Sequence, residues 1–206
     1  MKINNISISI KNILDRILAL IGIIAISPIL FITAFIIKIE SEGPIIFKQD
    51  RVGKDGKIFK VYKFRSMIEN AQYIGAGLYF EGEDDPRITK SGKFIRKTSI
   101  DELPQLFNVL KGEMSLVGPR PLLKITIDEM TDRQRRRLLM KPGMTGLAQI
   151  NGRNELSIKE RIENDLEYIE NYSLILDVKI ILRTIGVVLL RKGIRMDQSK
   201  SDVEKI

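Results

Sequence analysis

The chain contains no cysteine and no histidine in 206 residues. Without cysteine there is no disulfide, no thiolate nucleophile and no cysteine-based zinc site. Without histidine there is no Ser-His-Asp triad, no imidazole acid or base, and none of the common His-containing metal sets. Catalysis is therefore confined to carboxylates, Lys, Arg, Tyr, Ser or a metal held by oxygen ligands. Charge is plentiful: 34 Lys and Arg face 26 Asp and Glu, for a net charge of +8. A composition of 44% hydrophobic and 29% charged residues is neither that of a disordered chain nor that of a many-pass membrane protein. The length suits one domain.

The apolar residues are concentrated. Between Arg16 and Lys38 lie 21 residues without a charge, enough to enter a hydrocarbon core about 30 Å thick. A cleaved signal peptide has a shorter apolar stretch and ends at a small-residue site, whereas Lys38, Ile39 and Glu40 follow here. A fully buried soluble helix would need a larger protein around it. Pro28 removes a backbone donor and clashes with the carbonyl of Ile24, which predicts a kink with the Ser27 hydroxyl as the nearest partner for that carbonyl. Two readings stay open on the residues alone: a kinked spanning helix, or a re-entrant one broken at Ser27-Pro28. Basic residues flank the run on both sides, so the positive-inside rule does not choose between them.

The remainder reads as a globular domain. Two stretches of alternating β-branched, aromatic and basic residues around Gly53–Gly56 predict a hairpin or two short strands. Its loop, Val52 to Lys57, lacks the spacing of a phosphate-binding loop. A polar, Gly-rich loop spans 74–87. Helices are expected over 105–110, over 128–140 up to Lys141-Pro142-Gly143, and over 157–171, where Ser157 and Glu160 form a capping-box pattern. The stretch 174–190 is interrupted by Asp177, Lys179 and Arg183 and followed by Arg191, Lys192 and Arg195. It fits a core-facing helix or an amphipathic one lying in the membrane interface. The expected organisation is a membrane segment over 1–39, a domain over 40–196 and a polar tail over 197–206. The Arg133–Arg137 run lacks interleaved aromatics, so it reads as a solvated or headgroup-facing surface rather than a nucleic-acid grip. Asp165 and Tyr168, on the helix after Gly152-Arg153, could reach the site; a surface acid is the default reading, so they are left outside the site set.

The chemistry is sought around Asp101 and Glu102. Pro104 belongs in a helix's first turn, which places the two acids at the positive end of a helix dipole. Ser99 with Glu102 fits a capping box, so a purely structural role is open. Arg87, Arg96 and Lys97 precede the acids, and Arg120 follows between Pro119 and Pro121. Such a set suits a phosphate site with a hard metal, because a cation bridges carboxylate to phosphate and the guanidinium groups neutralise the rest. A shielded carboxylate can then attack phosphorus.

Six motifs in order carry a resemblance: Ser27-Pro28, Lys63-Phe64-Arg65-Ser66-Met67, Asp101-Glu102-Leu103-Pro104-Gln105, Gly118-Pro119-Arg120-Pro121, Lys141-Pro142-Gly143-Met144-Thr145-Gly146, and Gln149-Ile150-Asn151-Gly152-Arg153. Together they resemble the bacterial sugar transferases, the monotopic polyprenyl-phosphate phosphoglycosyl transferases, over about residues 11–196. The resemblance implies an α/β fold: a small irregular helix-rich domain with short strands, a re-entrant membrane helix and amphipathic interfacial helices. It implies transfer of a sugar phosphate from a UDP-sugar to undecaprenyl phosphate at the cytoplasmic leaflet of the inner membrane, with release of UMP. Asp101 matches the nucleophile and, with Glu102, the Mg²⁺ site. Arg96, Arg120, Pro119, Pro121, Lys63 and Arg65 match substrate-facing positions, and Ser27 and Pro28 match the re-entrant break. No nucleic acid is expected, and a homodimer is left open. Many larger relatives carry an additional multi-pass N-terminal region, so this chain resembles the catalytic core. Two other readings stand beside this one. One is a non-enzymatic membrane-anchored adaptor with a basic surface; the other is a one-pass anchored enzyme with its domain outside the cell.

Overall fold

The computed structural model describes residues 5–75, 77, 80–82, 85–152, 156–189 and 197–198. It opens on one long helix, α1 (Asn5–Glu40), with Pro28 inside it. At about 1.5 Å per residue, α1 is roughly 54 Å long. The helix is continuous through Pro28, and the Ser27 hydroxyl donates to the Ile24 carbonyl at 2.9 Å. The carbonyl that proline leaves without a backbone donor is thus satisfied locally, as the sequence suggests.

One stripe of α1 faces the rest of the chain along nearly its whole length. Lys11, Asp15, Ala19, Thr33 and Ile37 are buried, with Ile8, Ile23, Ile26, Leu30 and Ala34 packed beside them. The opposite face carries exposed Ile17, Leu20, Ile21, Ile24, Phe31, Phe35 and Ile39. Only 11% of its most apolar window is buried, so the fully buried soluble helix is excluded. Water is a poor solvent for that face, since burying each such side chain is worth about 1.5–3 kcal/mol. Among the described residues α1 is the one helix long and apolar enough to cross a membrane.

The hairpin forms as the alternation predicts. Strands β1 (Ile46–Val52) and β2 (Ile58–Phe64) pair antiparallel, with Ile46 opposite Phe64 and Val52 opposite Ile58. Short strand β3 (Phe80–Glu81) precedes helices α2 (Lys90–Lys97) and α3 (Gln105–Lys111). Strand β4 (Ser115–Val117) is followed by α4 (Lys124–Asp128) and α5 (Asp132–Arg135). Strand β5 (Gly143–Thr145) runs parallel to β4, and β6 (Asp197–Gln198) pairs antiparallel with β3. Helices α6 (Leu147–Asn151), α7 (Ile158–Glu170) and α8 (Leu174–Leu189) complete the fold. Ser157 and Glu160 form the expected capping box on α7.

No single core dominates. Ala19, Val61, Leu106, Val109 and Met114 join α1, β2 and α3, while Ile37, Phe64 and Ile95 join the far end of α1 to β2 and α2. Val117, Met140, Tyr168, Ile169 and Ile180 form another cluster beneath α7 and α8. The helix-rich, short-stranded α/β reading therefore holds. Helix α8 sets Ile180 and Asp177 inward, and leaves Ile175, Val178, Leu182 and Ile185 exposed on the other side.

Two local expectations fail. The single helix over 128–140 is broken: α5 starts afresh at Thr131, whose side chain and Gln134 make their own capping box, and Arg136–Leu139 tighten into a 3₁₀ turn. The capping box at Ser99 and Glu102 does not form. Ser99 sits in the left-handed region (φ 58°) with no side-chain cap, and Ile100–Glu102 are one 3₁₀ turn ahead of α3. Arg153 and the basic flank Arg191, Lys192 and Arg195 lie outside the described residues, as does much of the expected 197–206 tail.

Candidate active site

The acids are placed by three elements that meet. Asn108 of α3, fully buried, accepts from the Tyr62 amide at 3.0 Å and donates to the Lys60 carbonyl at 2.7 Å and to Glu113 at 2.8 Å. This bolts α3 to β2, so that Lys63 near the end of β2 faces the 3₁₀ turn just before α3. Lys63 Nζ lies 2.8 Å from Glu102 Oε1, and Arg120 Nη2 lies 2.9 Å from the same oxygen. The Glu102 side chain is 23% exposed, so this pair of ion contacts is only partly screened. Burial by itself would raise the Glu102 carboxyl; the Arg120 and Lys63 cations outweigh it and hold the group well below the usual range.

Asp101 differs. It makes no hydrogen bond or ion pair among the described residues. Burial, with the adjacent Glu102 charge adding to it, pushes its carboxyl up to about 6 against the pull of Lys63, Arg96 and Arg120. One turn thus carries a neutralised, firmly ionised acid next to an uncommitted one. Two acids with their pKa values driven apart are an arrangement typical of reactive sites.

Arg120 is held through its backbone. The Pro119 carbonyl accepts from the Gly143 amide at 2.9 Å. The Arg120 carbonyl accepts from Arg137 at 2.7 Å, and the Pro121 carbonyl from Arg51 at 3.3 Å. Three successive carbonyls are thereby tied to three different elements. Gly118 and Gly143 allow the approach, since a Cβ on Gly118 would sit 2.4 Å from the Lys141 carbonyl oxygen. Arg137 in turn is buried against Asp165, Nε to Oδ2 3.1 Å. Asp165 is therefore no surface acid, and Arg137 is no solvated face; only Arg133 and Arg136 of that run make exposed pairs, with Glu163 and Glu170. Tyr168 points elsewhere, donating to Asp177 at 2.7 Å.

Arg96 comes from α2, which Gly92 lets lie directly on the Ser66 backbone; a Cβ there would be 2.0 Å from the Ser66 carbonyl oxygen. Its guanidinium lies 3.4 Å from the Ser66 hydroxyl, and burial lowers its pKa against the pull of Asp101, Asp85 and Glu102. Arg51, which sequence reasoning missed, joins the group: burial and the nearby Arg120 bring it down to about 10, with Glu102 opposing. The alternating β1 pattern around it marks a strand face, and no local signal marks it otherwise.

Two expected cations are engaged elsewhere. Arg87 is buried, bonded twice to Asp85 and also to the carbonyls of Ala71, Ile74 and Gly77. Its guanidinium thus gathers the carbonyls of Ala71, Ile74 and Gly77 beside Asp85. Arg65 is buried with its guanidinium on Ser41, O at 2.8 Å and Oγ at 2.9 Å, and on the Glu42 carbonyl, so it ties the end of α1 to β2. Lys97 is exposed. The structure thus brings together Asp101, Glu102, Lys63, Arg96 and Arg120, with Pro119 and Pro121 framing the last, and leaves Arg65 aside.

No group of three carboxylates occurs among the described residues. The donor set still suits a hard cation, because Mg²⁺ takes one or two carboxylates and completes its shell with water and phosphate oxygens. Asp101 offers both oxygens, and Glu102 its second.

A family model described as bacterial sugar transferase matches residues 6–191. The galactosyl transferase CpsE of Streptococcus agalactiae is 54% identical over 161 residues, 73% of this chain and 36% of that protein. A protein of Bacillus subtilis named as the uncharacterised sugar transferase EpsL is 45% identical over 186 residues, 90% of each chain. The undecaprenyl-phosphate galactose phosphotransferase of Salmonella typhimurium is 47% identical over 164 residues, 73% of this chain and 34% of that one. The chain thus spans only about a third of the first and third of these relatives.

Proposed function

Because the chain belongs to the bacterial sugar transferase family, we propose that it moves a sugar phosphate from a UDP-sugar to undecaprenyl phosphate through a covalent intermediate on Asp101. The observation that carries this reading is the asymmetry of the acid pair: Glu102 is neutralised by Lys63 and Arg120, while Asp101 has no partner among the described residues. The names of relatives that act on undecaprenyl phosphate support the substrate class.

In the first half-reaction an Asp101 carboxylate oxygen attacks the β-phosphorus of the donor. The bond from that phosphorus to the bridging oxygen breaks, and UMP leaves with the electron pair. In the second, a phosphate oxygen of the polyprenyl acceptor attacks the same phosphorus and returns the carboxylate. Arg120 and Arg96 hold phosphate oxygens and offset their charge as a carboxylate approaches. Lys63 keeps Glu102 ionised and oriented. Mg²⁺ held by Asp101 and Glu102 would supply Lewis-acid charge neutralisation on the diphosphate.

The exposed apolar face of α1 supports a membrane location, where the lipid acceptor lives. The face of α8 carrying Ile175, Val178, Leu182 and Ile185 is suited to lie in the interface. A re-entrant α1 with its domain on the cytoplasmic leaflet completes the reading, since UDP-sugars are cytoplasmic.

The test is a reconstituted assay. Purified protein with Mg²⁺, undecaprenyl phosphate and a panel of UDP-sugars should release UMP with at least one donor. With the acceptor withheld, a sugar-labelled donor should leave an adduct on the peptide containing Asp101. No UMP from any donor would favour a non-enzymatic adaptor, and turnover without a trappable adduct would favour direct transfer.

A further inference from the structure

A second concave site lies where the first turns of α1 meet the hairpin loop and the segment before β5. The cavity measures about 110 Å³, and its lining includes Ile8, Lys11, Asn12, Lys54, Ser115 and Lys141. It shares no side chain with the acid pair. Lys11 is committed to Asp177 at 2.6 Å and Ser115 to Asp15 at 2.6 Å. Lys54 and Lys141 are not, for neither ammonium has an acceptor within bonding reach among the described residues. Burial, followed by the cations Arg16, Lys54 and Lys11, presses Lys141 below the ordinary lysine value, with Asp15 opposing. Four cations here face two carboxylates, Asp15 and Asp177. Like charges gathered around a cavity leave it complementary to an anion.

The depth of the cavity says what kind of anion. Arg16 is the last charged residue before the 21 uncharged residues that follow it, so this part of α1 stands where headgroups give way to hydrocarbon. An Ile8 wall beside two lysines suits a group that is charged at one end and apolar at the other. We propose that this cavity seats the phosphate of an anionic phospholipid, which thereby fixes the depth and roll of α1 against the domain. The site rests on the membrane placement of α1 and not on the transfer chemistry. The same phosphate chemistry is offered by free inorganic phosphate and by the polyprenyl monoester, and the experiment separates them.

The full chain is reconstituted in mixed phosphatidylcholine and phosphatidylglycerol, released into mild detergent, and its retained lipids are counted by native mass spectrometry. The wild type should keep phosphatidylglycerol. The Lys54→Ala, Lys141→Ala double variant should keep roughly tenfold less, with phosphatidylcholine retention and thermal midpoint unchanged. Lys54→Glu alone, at an exposed position, should act in the same direction. Equal phosphatidylglycerol retention by wild type and both variants would overturn the proposal. So would displacement of the lipid by millimolar inorganic phosphate, or a raised KM for the polyprenyl acceptor with phospholipid retention intact.

Discussion

The Arg137 guanidinium donates to the Arg120 carbonyl at 2.7 Å while it is paired with fully buried Asp165. Arg137 thus sets where Arg120 stands over Glu102 without touching the acids itself. Removing Asp165 alone, as Asp165→Leu, strands a buried cation and should cost about 3–5 kcal/mol. Replacing both partners, as Arg137→Met with Asp165→Leu, should restore much of the thermal stability, since apolar pairs of similar volume substitute well. It should not restore turnover, which we expect to stay down roughly 10–100-fold because the Arg120 loop loses one of its three carbonyl ties. Recovery of kcat along with stability would make the pair merely structural.

Arg65 gives the converse case. Its guanidinium is spent on Ser41 and the Glu42 carbonyl, so Arg65→Lys should lower the thermal midpoint and leave the donor KM within about twofold of wild type. Each lost hydrogen bond of this kind is worth about 1 kcal/mol. A large KM effect at unchanged stability would return Arg65 to the substrate-facing set.

How much of this was legible in the sequence depended on how local each signal was. The hairpin, α3, α7 and α8 rest on alternation, a proline, a capping box and helical spacing, all within one element, and all four formed. The helix over 128–140 failed because Thr131 and Gln134 carry a second capping signal that the basic run obscured. The acid pair was legible as a motif, but the cations that hold Glu102 and leave Asp101 unbonded were not. Lys63 lies 39 residues from Glu102, and only the Asn108 bridge between α3 and β2 makes them neighbours. Arg51 carried no signal, and Arg137 and Asp165 were legible without their pairing, for the same reason: each acts on a loop far away in the chain.

Asp101 should titrate unlike any exposed acid. Its carboxyl stands at about 6, above the ordinary 3.8, so in metal-free protein it should be mostly protonated at pH 5 and mostly ionised by pH 7. Carbonyl carbon shifts of labelled aspartate, with Asp101→Asn as the assignment control, read the midpoint directly. Mg²⁺ favours the anion and should move that midpoint downward. By the same sign, the cost of this raised carboxyl to folding sets in as pH rises past 3.8 and is complete above about 6, so Asp101→Asn should equal or exceed wild-type stability at pH 7 while turnover is lost. EDTA should abolish turnover and Mg²⁺ restore it. A midpoint near 4 that ignores Mg²⁺ would remove the metal from the acid pair.

The stripe of α1 that faces the domain gives the proposed membrane placement a test. A helix crossing a bilayer upright leaves its domain after one end, and the hydrocarbon core is only about 30 Å thick against roughly 54 Å of helix. Here Lys11 and Asp15 near one end and Ile37 near the other are all buried against the same globular body. That body cannot be in contact with both ends while one of them stands on the far side of the membrane. The proposed re-entrant placement therefore predicts both ends on one face of the membrane. Cysteines placed at Lys2 and Lys57 should both be protected from an impermeant reagent in intact cells and both be labelled after lysis. Labelling of only one in intact cells would mean that α1 spans. Pro28→Ala restores a backbone donor to the Ile24 carbonyl and should stiffen the helix. If re-entry depends on Pro28, the variant should shift part of the population toward the spanning labelling pattern.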